Sequence, residues 1–305
     1  MSAAPDEAVG AAIDTVNAGR RYGNFWALRH CTLALPPGSI TAVVGPNGAG
    51  KTTLLNMLVG LLPTSEGQLR VVDEEPSSKP EFLAHVGFLA QDYPLYKEFK
   101  VADLLRFGKA MNPSWDDALA RQRLAAAEVP LDRRAGRLSG GQRAQVALAL
   151  AVAKRPRVLL LDEPLAALDP LARREFLKTL LDSAAATGIT VVLSSHLVGE
   201  LARVCDHLVV IRDGRLRLAG ELDRLLGEHH WVTGSPQDTQ RMPTGVEVLT
   251  ESHHERHSRL LVRTNEPLLN PALTVGPVDL EELVLAYLER PAADVPAGLK
   301  EVGTR

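Results

Sequence analysis

The chain has 305 residues, 45% of them hydrophobic, and a formal net charge of −3, with a pI near 6.3. That composition suffices for one large domain and a smaller one, and the slightly acidic balance gives no electrostatic footing for nucleic-acid binding. The two cysteines, Cys31 and Cys205, are isolated and far apart, which excludes a disulfide framework and fits a reducing cytoplasm. No apolar stretch approaches the ~18–20 residues of a membrane span, and the small, acidic opening residues lack the basic-then-apolar pattern of a leader.

Residues 1–14 are expected to form a disordered tail and 15–226 the main domain. Ile40-Thr41-Ala42-Val43-Val44 is a short apolar, β-branched run and is predicted to be a buried strand. It leads into Gly45-Pro46-Asn47-Gly48-Ala49-Gly50-Lys51-Thr52, which matches G-x-x-x-x-G-K-[ST]; Thr53 to Val59 continues as a helix. The glycines at 45, 48 and 50 let successive backbone N–H groups point at one oxyanion, with Asn47 and Thr53 in the same loop and helix start. Lys51 brings a point charge to terminal phosphates and Thr52 a hydroxyl ligand for Mg²⁺.

Beyond Gln91, the stretch Asp92 to Phe99 carries three aromatics, Tyr93, Tyr96 and Phe99. Val101 to Met111 and Asp116 to Glu128 are predicted helices, separated by Asn112-Pro113-Ser114, with Ser114 as cap of the second. A helical subdomain is thus expected over about 92–150. Exposed aromatics among helices would suit a groove that grips a short partner helix; equally, the three rings could pack inside their own subdomain. Leu138-Ser139-Gly140-Gly141-Gln142 opens a helical run. The Ser139 hydroxyl, the bare backbone of Gly140 and Gly141 and the helix start at Gln142 make a second anion site. Two phosphate sites with a single P-loop suggest that ATP is closed between two copies of the chain.

Val158-Leu159-Leu160-Leu161 fits a parallel strand covered on both faces, ending in Asp162 and Glu163. Asp162 is placed to hold Mg²⁺, directly or through water, and Glu163 to orient and deprotonate an attacking water. Leu208 to Ile211 and Leu216 to Leu218 flank Asp213-Gly214, a hairpin signal, and Gly220 to Leu226 is expected as a short closing helix. Gly227 to His230 and Thr233 to Pro236 mark a boundary. A small α+β module is expected over 227–290, with strands at Val246–Leu249 and Arg259–Arg263. Its final helix is capped by Asp279 and Glu282 and buries Leu280, Leu283, Val284, Tyr287 and Leu288. Residues 291–305 are expected as a flexible tail. Five of the nine histidines lie in this module, at 229, 230, 253, 254 and 257. A metal or pH sensor, with His253 and His257 on one helical face, competes here with a solvated polar loop between strands. No Cys or carboxylate completes a ligand set at usual spacing, which favours the loop.

Together these motifs resemble the ATP-binding subunit of an ATP-binding-cassette (ABC) transporter, over Tyr22 to about Gly220. The resemblance implies an α/β P-loop cassette: a mixed sheet core, an antiparallel β subdomain and a helical subdomain, here with a small C-terminal extension. It implies ATP and Mg²⁺ as ligands and gives roles to four more residues. Tyr22 resembles the aromatic residue that stacks on adenine. Gln91 resembles the glutamine that touches Mg²⁺ and the water and senses the transmembrane partner. Asp169, in Leu168-Asp169-Pro170, resembles the loop that crosses the dimer interface, and His196 the switch histidine on the γ-phosphate. Ala166 departs from the hydroxyl residue many members carry three positions before that Asp, which removes one hydrogen bond across the dimer. The implied partners are a second cassette, identical or not, and a separate transmembrane permease, with the chain peripheral on the inner face of a bacterial membrane. The stretch around Asn112–Asp116 and the ending Asp279–Glu282 resemble the ABC-2 exporter group and imply export of a drug, antibiotic or peptide. An importer subunit, which shares the catalytic parts, and a soluble ABC protein acting on ribosomes are the alternatives. Ribosomal members usually carry two cassettes, and chromosome ATPases a long coiled coil; one P-loop and no sustained heptads occur here.

Overall fold

Long strands with alternating burial begin the described chain: β1 (Ile13–Tyr22) and β2 (Phe25–Leu35). The computed structural model describes residues 10–290 apart from 241, 244, 254–256 and 269. The tail expected through residue 14 therefore ends earlier, because Ile13 is fully buried and pairs with Leu35. Next come β3 (Ile40–Val44), α1 (Lys51–Leu58), β4 (Glu66–Val71), α2 (Pro80–His85) and β5 (Val86–Leu89). The helical region holds α3 (Val101–Met111), α4 (Asp117–Ala126) and α5 (Gly140–Ala153). The chain then runs through β6 (Val158–Leu161), α6 (Pro170–Thr187), β7 (Thr190–Ser195), α7 (Val198–Leu201), β8 (His207–Arg212), β9 (Arg215–Glu221) and α8 (Leu222–Glu228). It closes with β10 (His229–Gly234), α9 (Pro236–Thr239), β11 (Glu247–His253), β12 (Ser258–Arg263), β13 (Thr274–Pro277) and α10 (Leu280–Glu289).

The central sheet has the order β5-β6-β7-β3-β8-β9. Its first five strands are parallel and β9 returns antiparallel through the Asp213-Gly214 turn. Every residue of β6 and β7 is buried, as a strand covered on both faces requires. The register aligns strand ends: Leu89 faces Leu161, Leu161 faces Leu193, and Val44 faces Ser195. Four loops therefore leave the sheet along one edge, carrying the P-loop, Gln91, Asp162–Glu163 and His196. Open α/β sheets bind ligands at such an edge. A smaller antiparallel sheet, β2-β1-β4, covers α1 and completes the second core cluster.

The helix α5 joins two cores. Ala144, Leu148 and Val152 face the main core, while Val146, Ala149 and Ala153 pack with Val101, Leu105, Leu124 and Leu138 of the helical region. Ser139 caps α5: its hydroxyl accepts from Gln142 N–H at 3.1 Å, and the Gln142 side chain accepts from Ser139 N–H at 3.3 Å. The cap of α4 is Asp116, not Ser114. Its carboxylate accepts from Leu119 N–H at 2.8 Å and also meets Arg155, so an acid with two partners displaces the hydroxyl two residues earlier. Of the three aromatics after Gln91, Tyr93 is buried, while Tyr96 and Phe99 face out.

The C-terminal residues form a four-stranded antiparallel sheet, β11-β12-β10-β13. Residues 227–236, expected as a boundary, contain its β10, flanked on both sides by partners. Gly, His and Ser–Pro punctuation concealed a strand whose pairing is long-range. Its His229 is fully buried, which corrects the solvated-loop reading at that position. Nδ1 meets the Leu225 carbonyl at 2.5 Å and Nε2 meets the Tyr287 hydroxyl at 2.9 Å, so both nitrogens are used structurally. Burial lowers its pKa below the usual histidine value and keeps the ring neutral. His253 pairs across the β11–β12 turn with Ser258, so it shares no helical face with His257; His254 lies outside the described residues. The helix α10 has Asp279 and Glu282 as its capping box. Leu283, Val284, Ala286 and Tyr287 join Leu201, Leu208, Leu218 and Leu225 in the main core. The C-terminal module thus shares its hydrophobic core with the cassette. Leu283→Ala, at a fully buried site, is expected to cost about 2–5 kcal/mol and to lower the thermal midpoint of the whole chain in calorimetry. A separate early transition, with the main one unmoved, would show that the two regions unfold independently.

Candidate functional site

The loop between β3 and α1 is sterically committed to glycine. A Cβ on Gly45 would lie 2.1 Å from the Ile211 carbonyl oxygen, and one on Gly50, at φ 111°, 2.6 Å from that of Ala27. Any larger residue would push the loop off the strand ends that hold it. Lys51, only 6% exposed, turns back over this loop. Its Nζ donates to the carbonyls of Gly45 at 2.7 Å and Pro46 at 3.3 Å, and lies 3.1 Å from Glu163 Oε1. The last contact is ionic rather than a formed hydrogen bond, since Oε1 is buried without a donor aimed at it.

Glu163 follows β6 in the left-handed region, at φ 47°. A non-glycine residue persists there only when its surroundings over-determine it. Here the Ser194 hydroxyl of β7 does so: it accepts from Glu163 N–H at 2.8 Å and donates to Asp162 Oδ1 at 2.7 Å. The turn aims the Glu163 carboxylate between Lys51 and His196, whose Nδ1 lies 2.8 Å from Oε2. Lys51 and His196 thus bracket one buried acid, whose Oε1 accepts no hydrogen bond among the described residues.

A cleft of about 560 Å³ opens over this centre, lined by Phe25, Ala27, Asn47, Gly48, Ala49, Gly50, Lys51, Thr52, Thr53, Gln91, Glu163 and His196. The structure therefore brings Asn47, Thr52, Thr53, Gln91, Glu163 and His196 to one wall, with Asp162 buried behind it. Tyr22 does not line the cleft. Its ring lies beside the Arg20 guanidinium, 5.0 Å away, and its cross-strand neighbour Phe25 lines the cleft instead. Ser139, Gly140, Gly141, Gln142 and Asp169 are also absent from the lining. They converge on each other: a Cβ on Gly141 would sit 3.2 Å from that of Ala172, at the start of the helix that Asp169 caps. Among the described residues no group of three or more His, Cys, Asp or Glu side chains could hold a metal ion. The donors in and behind the cleft, Thr52, Gln91 and Asp162, carry oxygen and include one carboxylate. That set fits a hard cation such as Mg²⁺, which takes few protein ligands and completes its shell from water and phosphate.

Three residues stand in or beside this centre in places that were not read from the sequence. Phe25 is 65% exposed, and its only sequence signal was a place two residues past Tyr22-Gly23. Ser194 was visible as part of Leu193–His196, without its double role. Tyr93 was read as one of three loop aromatics, yet its hydroxyl donates to the Pro164 carbonyl. Burial pushes its phenol up to about 12, against the pull of Arg143, so it stays a donor at any working pH.

A family model described as ABC transporter matches residues 28–166, and a model of an AAA domain matches residues 132–202. The chain is 39% identical over 265 residues to the sulfate/thiosulfate import ATP-binding protein CysA of Nephroselmis olivacea, a match covering 83% of this chain and 73% of that protein. The chain belongs to the ATP-binding subunits of ABC transporters. This ABC subunit is also 36% identical to the thiamine import ATP-binding protein ThiQ of Salmonella choleraesuis, over 66% of this chain and 89% of that one. Its fold matches a dimeric ATP-binding cassette in a post-hydrolysis state bound to ADP and Pi, at a TM-score of 0.61 and 24% identity, over 69% of this chain and 98% of that one. The P-loop cassette fold expected from the motifs is what the structure has, and the ABC subunit is an ATPase. The ABC-2 exporter subtype is not supported: the relatives are importer ATPases, and Asn112–Asp116 with Asp279–Glu282 were too short to decide direction. Phe25→Ala is expected to raise KM for ATP about fivefold, by removing an aromatic face beside the nucleotide cleft, while kcat stays within about twofold. Steady-state ATPase assays check this; an unchanged KM would take Phe25 out of the binding surface.

Proposed function

We propose that this subunit drives import through a separate membrane permease, with two cassettes closing on two molecules of ATP. The observation that carries the reading is the convergence of Lys51 and His196 on Glu163 at the mouth of the P-loop, with Ser139 outside the cleft lining. A cleft that holds one phosphate site, in a chain that builds two, is completed by a second copy. Ser139, Gly140, Gly141 and Gln142 of the partner cassette then cover the γ-phosphate, and Asp169 lies in the loop between the two. Closure is favoured because one triphosphate satisfies both sites at once. The relatives named for import support that direction, and the dimeric cassette of the same fold supports pairing.

In the closed pair Glu163 accepts a proton from water as its oxygen attacks the γ-phosphorus, and the bond to the β-phosphate oxygen breaks to release ADP. His196 holds the Glu163 carboxylate in place and reaches the γ-phosphate, while Lys51 and the loop N–H groups stabilise charge on the transferring phosphoryl. Thr52, Gln91 and Asp162 would hold Mg²⁺, which neutralises charge on the phosphate oxygens. Phe25 is the aromatic that faces the adenine, and Tyr22, its cross-strand neighbour, lies outside the cleft lining.

The permease docks on the helical region. Tyr96, Phe99, Phe107 and Met111 are exposed there, with Tyr96 tilted against Phe99 at 5.2 Å and edge-on to Phe107 at 5.9 Å. An exposed aromatic cluster of this kind suits a short helix of a membrane partner. Among the described residues no helix is long and apolar enough to cross a membrane. Glu163→Gln is expected to bind ATP, to lose at least about 100-fold in kcat and to accumulate an ATP-bound pair on size exclusion; adding Ser139→Arg should return it to single chains with nucleotide still bound. Turnover near the parental rate in the first variant would remove Glu163 as base, and an undiminished pair in the second would remove the shared site.

A further inference from the structure

The loops that carry Gln91 and Glu163 leave neighbouring parallel strands. The ladder between β5 and β6 pairs Leu89 with Leu161, and its last bond runs from Asp162 N–H to the Leu89 carbonyl at 2.9 Å. Past that point no backbone bond ties the two loops. The next tie is a side chain: the Tyr93 hydroxyl donates to the carbonyl of Pro164, the residue after Glu163.

Tyr93 is built for this contact. Its neighbours Asp92 and Pro94 are exposed, yet it is 7% exposed and packs in the core cluster that contains Leu165 and Leu168. Its backbone sits in the left-handed region at φ 45°, as Glu163 does at φ 47°. Neither residue is glycine, so each conformation persists through its contacts. The peptide before Glu163 is held by Ser194, and the peptide after Pro164 begins at the carbonyl that Tyr93 holds. An apolar ring would fill the same space, but only a phenol supplies the donor.

We propose that Tyr93 is a positioning residue that ties the Gln91 loop to Glu163 through the Pro164 carbonyl. Movement of the Gln91 loop then reaches the acid without passing through the nucleotide. The loop lies at the foot of the exposed Tyr96–Phe99 cluster, so a partner seated on those rings acts on the same segment. This inference rests on the reading of Glu163 as the base.

The test uses Tyr93→Phe, which keeps the ring and removes the donor. Nucleotide titration first establishes that the purified variant binds ATP with parental affinity. The expected result is a fall in kcat of about tenfold, as a slightly displaced general base produces, with KM for ATP within about twofold. Hydrogen–deuterium exchange with Mg²⁺ and a non-hydrolysable ATP analogue adds a readout that loosened packing alone would not give. Residues 90–96 and 163–168 should gain protection together in the parent, and only one of the two segments should do so in the variant. A parental kcat, a rise in KM that accounts for the loss, or protection of both segments as in the parent would overturn the proposal. Glu163→Gln run alongside separates the two readings. If it is inactive while Tyr93→Phe is parental, only the Tyr93 tie fails; if it turns over normally, the base assignment fails first.

Discussion

One hydroxyl group holds the catalytic edge of the sheet together. Ser194, fully buried at the end of β7, donates to Asp162 and accepts from the backbone of Glu163. Two adjacent carboxylates at the end of an apolar strand would otherwise repel each other and seek water. The serine separates their roles. Asp162 is turned in behind the cleft, and Glu163 is swung through a left-handed turn to meet Lys51 and His196. The register of β6 against β7 makes this possible, because Leu161 faces Leu193 and so brings the next residues level. A slip of one residue would send the side chains of the strand to the opposite face.

The same edge explains how distant parts of the subunit share one centre. The helix α5 carries Ser139 at its capped start and divides its faces between the main core and the helical region. At the other side, α10 buries Leu283 and Val284 in the main core and meets α7, the helix that follows His196. The C-terminal sheet is thus fastened to the element behind His196 rather than hung on a free linker.

Much of the framework of the candidate site was legible in the sequence, because tight Gly-rich turns, helix caps and strand burial impose local rules. The run Ile40–Val44, the glycines before Lys51 and the four apolar residues before Asp162 each state their structure within a few positions. So do Ser139 with Gln142, and Asp279 with Glu282, where capping chemistry is short-range. What was hidden depends on pairing between remote segments. The strand at 229–234 shows only boundary residues until β12 and β13 are beside it. The burial of His229 depends on Tyr287, 58 positions away. Phe25 enters the cleft through its place opposite Tyr22 on a hairpin, and Asp116 displaces Ser114 as a cap because Arg155 comes to meet it. The direction of transport was read from two short stretches, Asn112–Asp116 and Asp279–Glu282, and nothing in the chemistry of those residues bears on direction.

The most direct test of this arrangement is the ATPase activity of Ser194→Ala, measured with the nucleotide affinity of the same protein. Losing the hydroxyl strands a buried N–H and frees a buried carboxylate, at a cost of about 1–3 kcal/mol. The expected result is unchanged ATP binding with kcat lower by about tenfold or more, because the acid is still present but no longer held. A parental kcat with intact binding would contradict the claim that this hydroxyl sets the position of Glu163.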